Sequence, residues 1–276
     1  MERRQTYSTR PFDKQAVKSK IQKRMVAVCD ILGFSKTVFE TPLELVVNGP
    51  LNKFYNALLF AIEQKLPSNG NLALANLQSQ NRVGVQWFSD TVLIYSIDDS
   101  QKSLQELLQT ISWLLFITVF NRHIRIRVGI SYGDVYIDNE NKIYVGPAIV
   151  EAYKMEQAQE WSGGALTKSA EQVIPPMIPP CSADEFKWPV IPYNVPIKED
   201  AKRVNELNDF ANKTLAINWT LGIHPANDNY FMWSKDKEYP TAEEANLYPD
   251  IEKKRINIKR FHDEICRQCG GTKRKD

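Results

Sequence analysis

Apolar residues run almost unbroken through residues 25–32, with Asp30 the one charged interruption, which is the pattern of a buried β-strand. Alternation along such a strand puts Val26, Val28 and Asp30 on one face and Ala27, Cys29 and Ile31 on the other, so the carboxylate extends a row of apolar side chains at the strand end. Pro42 then opens a stretch in which Leu43, Val46, Val47, Leu51, Phe54, Leu58 and Ile62 recur at helical spacing, and Asn48-Gly49-Pro50 predicts a break into two helices. A polar loop around Pro67-Ser68-Asn69-Gly70 leads to two β-rich runs, 82–88 and 91–97, joined tightly at Ser89-Asp90 as a hairpin. Residues 103–120 are apolar with a helical period; 124–131 return to strand, and a second β-like stretch follows Tyr132-Gly133-Asp134 through Ile137. Pro147 starts a further helix running to Trp161, since proline suits a first helical turn.

The order strand, helix, helix, strand, strand, helix, strand predicts an α+β fold, a ferredoxin-like palm with one extra helix and a mostly antiparallel sheet. This core is expected over 25–174. A basic arm or loosely packed helix, 1–24, precedes it with Arg3, Arg4, Arg10, Lys14, Lys18, Lys20, Lys23 and Arg24. The proline-rich segment 175–180 follows as a stiff linker. Residues 181–276 hold Trp188, Trp219 and Trp233 and helical patterns at 199–217 and 241–267, and are expected to form an ordered accessory region.

Composition narrows the class of partner. The 276 residues, 43% hydrophobic and 25% charged, suffice for a sizeable core and exclude a disordered chain. With 35 Lys and Arg against 33 Asp and Glu the net charge is +2, so no global field favours wrapping a nucleic acid, whereas a local patch serves a small anionic ligand. Cys29, Cys181, Cys266 and Cys269 are too few and too unevenly spread for a secreted disulfide framework, and a reducing cytoplasm is the expected compartment. Glu2, Arg3 and Arg4, followed by polar residues, do not read as a signal peptide. No uncharged apolar run reaches the roughly 18 residues of a membrane span, so no membrane partner is expected.

Candidate chemistry gathers at two strand ends. A buried lone Asp30 is costly, and a metal ion, a salt bridge or a helix cap would each offset that cost. Gly33 lets the backbone approach a ligand, and the amides of Leu32, Gly33, Phe34 and Ser35 lead towards a helix, a good place for phosphate oxygens. Asp90 sits in the hairpin turn, where a bare turn-forming Asp is the ordinary reading. If the two strands are neighbours, both carboxylates meet at one edge, which suits two divalent ions beside a triphosphate.

The segment Val28-Cys29-Asp30-Ile31-Leu32-Gly33-Phe34-Ser35 resembles the metal-binding strand of class III nucleotide cyclases, and Phe88-Ser89-Asp90 resembles their Ile-Gly-Asp hairpin. Arg127-Val128-Gly129-Ile130-Ser131-Tyr132-Gly133 is similar to their Arg-Val-Gly-Ile strand, and Val145-Gly146 through Met155-Glu156 to their closing helix. The resemblance covers roughly 25–174. It implies that Asp30 and Asp90 are metal ligands with the Ile31 carbonyl as an auxiliary, for two Mn²⁺ or Mg²⁺ ions per site. It further implies a phosphate cradle at 32–35, Arg127 as a triphosphate clamp, and a homodimer with shared active sites. The implied reaction is attack of a ribose 3′-hydroxyl on the α-phosphate, giving a 3′,5′-cyclic nucleotide and pyrophosphate.

Departures from that pattern bear on the substrate. The two purine-reading positions fall on Gln86 and Ile143; Gln86 suits a pyrimidine carbonyl and ring N–H, and Ile143 offers an adenine amine nothing. The usual Asn and Arg of the closing helix fall on Val150 and Lys154, leaving transition-state charge to Lys154, Arg125, Arg127 or the metals. This combination looks most like the pyrimidine cyclases of bacterial Pycsar antiphage systems, which implies UTP ahead of CTP as substrate and a separate effector that senses the cyclic product. A purine cyclase of class III is the alternative substrate reading. A catalytically silent, nucleotide-binding scaffold is the alternative of another class, motivated by Val150 and Lys154. Tyr153 either stacks a base or packs as an ordinary tyrosine. His262, Cys266 and Cys269 stand either as an incomplete zinc set or as a histidine beside two free thiols.

Overall fold

Strand β1 spans Ile21–Ile31, longer at its start than the apolar run. Of the added residues Ile21, Gln22 and Lys23 are exposed and Arg24 is half-buried, and all are held by pairing with β4, Ile126–Asp138, whose register runs from Ile21↔Tyr136 to Ile31↔Ile126. A computed structural model of the chain describes residues 14–63, 83–120, 124–175, 189–202, 214–219 and 249–268. Within them, α1 (Lys14–Lys20) precedes β1, and α2 (Phe34–Glu40), α3 (Leu43–Val46) and α4 (Asn52–Glu63) follow it. Gly49 takes non-helical angles (φ −96°, ψ −106°) beside Pro50 in the π-helical turn Val47–Leu51 that separates α3 from α4, the break its sequence predicts. The hairpin is β2 (Val83–Phe88) and β3 (Thr91–Ser96), followed by α5 (Gln101–Phe120).

Past β4 come β5 (Ile143–Val145), α6 (Pro147–Ala158), β6 (Gly163–Leu166) and α7 (Lys168–Glu171). Then follow β7 (Val190–Tyr193), α8 (Glu199–Lys202), β8 (Thr214–Ile217) and α9 (Pro249–Gln268). The sheet runs β2-β3-β1-β4-β6-β8-β7 with β5 on β4, antiparallel throughout except β4 with β6. The order β2-β3-β1-β4, with helices between β1 and β2 and between β3 and β4, is the ferredoxin-like α+β arrangement.

Alternation along β1 sorts two cores. Met25, Ala27, Cys29 and Ile31 face α4 and α5, where Phe54, Leu58, Leu107 and Ile111 are fully buried. Val26 and Val28 face Ala148 and Ala152 of α6 on the other side. Helix α6 lies so close that a Cβ on Gly129 would meet the Ala152 carbonyl oxygen at 2.0 Å and the Glu156 amide nitrogen at 2.4 Å.

Three elements differ from expectation. Strand β4 continues through Tyr132-Gly133-Asp134, because all three keep partners on β1, opposite Met25, Arg24 and Lys23. Helix α6 stops at Ala158 instead of Trp161, because Gln159 turns extended (ψ 143°), bridges to Ile197 and sends its side-chain amide to the Val128 and Met155 carbonyls at 2.9 and 3.0 Å. Within the helical pattern at 199–217 the described residues form helix at α8 and a strand at β8, whose Ala216 pairs with Ala165 and extends the sheet beyond residue 174. The loop at 67–70, the arm before residue 14, the prolines after 175, Trp188, Trp233, Cys181 and Cys269 lie outside the described residues, as do the side chains of His262 and Cys266.

Candidate active site

Asp30 ends its row on the face covered by α6, opposite Thr91 of β3 and Arg127 of β4. Asp90, half-buried, immediately precedes Thr91, so the hairpin delivers the second carboxylate to the same sheet edge. The turn is fixed by Ser89 at φ 54° and by the Trp87 indole, which donates to the Ser89 carbonyl while its ring packs 5.2 Å from Phe54. Burial pushes the Asp30 carboxyl up to about 6, the Asp90 charge adds to that, and Arg127 opposes it. Two carboxylates thus repel each other at one edge.

Arg127 is buried and turned inward. Its guanidinium lies 2.8 Å from Glu156 Oε1 and 3.6 Å from Asp30 Oδ2, and its Nη1 donates to the Gln159 carbonyl at 3.1 Å. Glu156 is fully buried at the end of α6, and burial pushes its carboxyl up to about 7 against the pull of Arg127. The Trp161 indole donates to Gln159 Oε1 at 2.8 Å and completes the frame.

Of the cradle, Leu32 is half-buried and its amide donates to the Arg125 carbonyl at 2.9 Å, so that amide continues the sheet. Gly33 adopts φ 78°, a left-handed conformation that side chains disfavour, and caps α2 with its carbonyl accepting from the Thr37 amide at 3.2 Å. Phe34 is buried and Ser35 is exposed at the first helical turn.

The remaining candidates sit on β2, β5 and α6. Tyr153, Lys154 and Val150 lie on the exposed side of α6, with Tyr153 53% and Val150 51% accessible. Gln86 is half-buried on β2, its amide donating to the Trp87 carbonyl at 3.1 Å, and Ile143 is half-buried on β5. Sequence reasoning missed Lys198. The segment before α8 docks along the end of α6: the Glu160 amide donates to the Pro196 carbonyl at 2.8 Å and the Lys198 amide to the Ala158 carbonyl at 2.9 Å. Lys198 Nζ donates to the Gln157 carbonyl at 2.6 Å. Burial lowers its pKa, Arg127 lowers it further and Glu156 opposes, while its own charge acts on Asp30 and Glu156. No local pattern marks this lysine; only the docking of the segment after β7 reveals it.

Among the described residues, no group of three or more His, Cys, Asp or Glu is arranged to hold a metal ion, so a cation here would rest on Asp30, Asp90 and the Ile31 carbonyl. That all-oxygen set fits a hard divalent ion such as Mg²⁺ or Mn²⁺, which would offset the mutual repulsion of the two acids. Among the described residues, no helix is long and apolar enough to cross a membrane.

No protein-family model and no curated protein matches the sequence. Among solved structures the chain is similar to the non-canonical dimeric guanylyl cyclase domain of a rhodopsin fusion protein from the aquatic fungus Blastocladiella emersonii. Identity is 15%, over 71% of this chain and 94% of that one, at a TM-score of 0.46. It is also similar to the catalytic core of a rhodopsin-guanylyl cyclase of converted specificity in complex with ATPαS, at 15% identity over 71% and 93% of the two chains and a TM-score of 0.45. An adenylate cyclase from Trypanosoma brucei in its monomeric state shows 14% identity over 71% and 88%, with a TM-score of 0.41. Likenesses this distant fix neither substrate nor activity.

Proposed function

We propose that the chain is a metal-dependent nucleotide cyclase of the class III type, with residues 25–174 as its catalytic unit. The observation that carries this reading is the meeting of Asp30 and Asp90 at one sheet edge, where the Asp90 charge helps to push the Asp30 carboxyl up. Asp30, Asp90 and the Ile31 carbonyl would hold two Mn²⁺ or Mg²⁺ ions. Such ions, when bound, neutralise phosphate charge and favour ionisation of a ribose hydroxyl. In the reaction the 3′-oxygen forms a bond to the α-phosphorus, the bond from that phosphorus to the bridging oxygen of pyrophosphate breaks, and the hydroxyl proton is released.

This chain's own groups orient the substrate. Gly33, Phe34 and Ser35 open a helix towards the phosphates, and Lys198 adds a cation whose charge reaches Asp30. The Leu32 amide is committed to the sheet, so the cradle reduces to 33–35. Arg127, held by Glu156, positions Asp30, and its charge reaches the triphosphate through that frame. Lys154 and Tyr153 project from the outer side of α6, so their roles towards charge and base belong to a site shared with a second copy. Exposed Phe39 (90%), Leu43, Leu45 and Phe88 (79%) favour such a homodimer, which would cover them.

The substrate reading is pyrimidine: Gln86 pairs with uracil or cytosine edges, with UTP ahead of CTP and ATP or GTP as the alternative. The resemblance to Pycsar cyclases supports reading the product as a cytoplasmic antiviral signal sensed by a separate effector. A silent nucleotide-binding scaffold is the second reading, favoured by Val150 where a catalytic Asn is usual and by the burial of Arg127 against Glu156. Incubation with Mn²⁺ and each of the four nucleoside triphosphates, followed by mass spectrometry, separates the readings. Cyclic UMP or cyclic CMP is expected; a purine product overturns the base assignment, and no product with any nucleotide establishes the scaffold.

A further inference from the structure

At the opposite end of β1 from Asp30, the same face of the sheet carries a second set of groups. Arg24 shares the face of Val26, Val28 and Asp30, and six residues of strand set it about 20 Å from Asp30. A cavity of about 330 Å³ opens here, within the size range of small-ligand sites. Val135 and Ile137 give it an apolar wall, Gln22, Arg24 and Asn139 give it polar groups, and no aspartate or glutamate lines it.

Two features make this more than a surface dent. Arg24 Nε and Nη1 are shut off from solvent with no hydrogen-bond partner among the described residues, while Nη2 donates to Gln22 Oε1. A guanidinium shielded in this way is costly unless an anion meets it. Burial lowers the Arg24 pKa, with Asp98 and Asp99 opposing, yet among the described residues no ion pair holds it. Asn139 is fixed as well: the Tyr95 and Tyr144 hydroxyls both donate to its Oδ1 at 2.9 Å, which leaves its amide nitrogen as the group it offers a ligand. The Tyr95 ring lies against Gly84, where a Cβ would meet it at 2.1 Å, so the glycine keeps this wall in place.

We infer that the cavity binds a small organic anion, its oxyanion on the Arg24 guanidinium and its apolar body against Val135 and Ile137. A carboxylate and a phosphate ester share that chemistry. The site is separate from the two aspartates and does not depend on the cyclase reading.

Calorimetric titration of the full chain in EDTA, with benzoate and with phenyl phosphate as probes, tests it. At least one probe binds saturably, and Arg24→Leu weakens it at least about tenfold. Ile137→Trp, which fills the cavity and keeps the guanidinium, weakens it likewise. Binding of benzoate alone identifies a carboxylate ligand, and binding of phenyl phosphate alone a phosphate ester. Without probe, Arg24→Leu raises the thermal midpoint, since it removes two shielded guanidinium nitrogens that have no hydrogen-bond partner among the described residues. Failure of both probes to bind, binding that survives both substitutions, or a lowered midpoint for Arg24→Leu overturns the assignment.

Discussion

Arg127 of β4 and Glu156 of α6 form a 2.8 Å ion pair in which both side chains are almost completely buried, and the same guanidinium lies 3.6 Å from Asp30. One cation therefore answers two acids, and it also fastens the helix to the sheet edge where the site forms. Removing one member strands the other in the interior, which costs more than the pair itself contributes. At pH 8, Arg127→Met and Glu156→Leu should each lower unfolding free energy by about 3–5 kcal/mol. The double variant should lose less than the sum of the two. Urea denaturation of the four proteins measures this; additive losses would show that the pair is not coupled.

Glu156 also sets a pH dependence. Burial raises its carboxyl from an ordinary value near 4.5 to about 7, so the folded state holds a proton that the unfolded chain has already released. Its contribution is fully present below pH 4.5 and is lost as pH rises through about 7. In EDTA, unfolding free energy should fall between pH 5 and pH 8, on the order of 1–3 kcal/mol from this group. Glu156→Gln should flatten that fall; an unchanged slope would place the proton elsewhere.

Much of this arrangement is legible in the chain because its signals are local. The apolar run around Asp30, the Ser89-Asp90 turn and the Asn48-Gly49-Pro50 break each predict their element from spacing and backbone chemistry alone. What stays hidden depends on pairing across distance. Tyr132-Gly133-Asp134 separates two β-like stretches in the sequence, yet Gly133 remains in β4 because Arg24 of β1 pairs with it. The inward course of Arg127 follows from Glu156, nearly thirty residues later, and Lys198 reaches the site because residues 196–198 pair with the backbone of 158–160. Residues 214–217 fall inside a helical pattern in the sequence, yet pair with β6 and β7 through the fold.

Asp30 and Asp90 carry the sharpest functional expectation. Asp30→Ala and Asp90→Ala should each abolish cyclic-nucleotide formation in Mn²⁺, a loss of at least about 10²-fold, while far-ultraviolet circular dichroism stays native. Without metal, Asp30→Asn should not lower the thermal midpoint, because it relieves repulsion from Asp90 and burial of charge. Substantial turnover in either alanine variant would remove these residues from the metal site.

Gly129 tests how tightly α6 must sit. Its place on β4 opposite Val28 brings the Ala152 carbonyl and the Glu156 amide within the volume of a methyl group, and both are backbone atoms that yield only if the helix moves. Gly129→Ala should therefore cost about 1–3 kcal/mol or more. It should also reduce turnover with little change in KM, since the displaced helix carries Glu156 away from Arg127. A native-like stability for this variant would show that α6 shifts at little cost.

Lys198 separates a binding role from a structural one. Its ammonium is anchored on the Gln157 carbonyl at 2.6 Å, and its charge falls on Asp30 and Glu156. Lys198→Gln keeps a donor for that carbonyl and removes the charge. If the cation serves the triphosphate, this variant should raise KM for the nucleotide about tenfold with a thermal midpoint close to the parent. Lys198→Arg, which restores the charge, should recover most of the loss. A lowered midpoint with KM unchanged would make Lys198 a clasp that holds the segment 196–198 against α6, with no part in holding substrate.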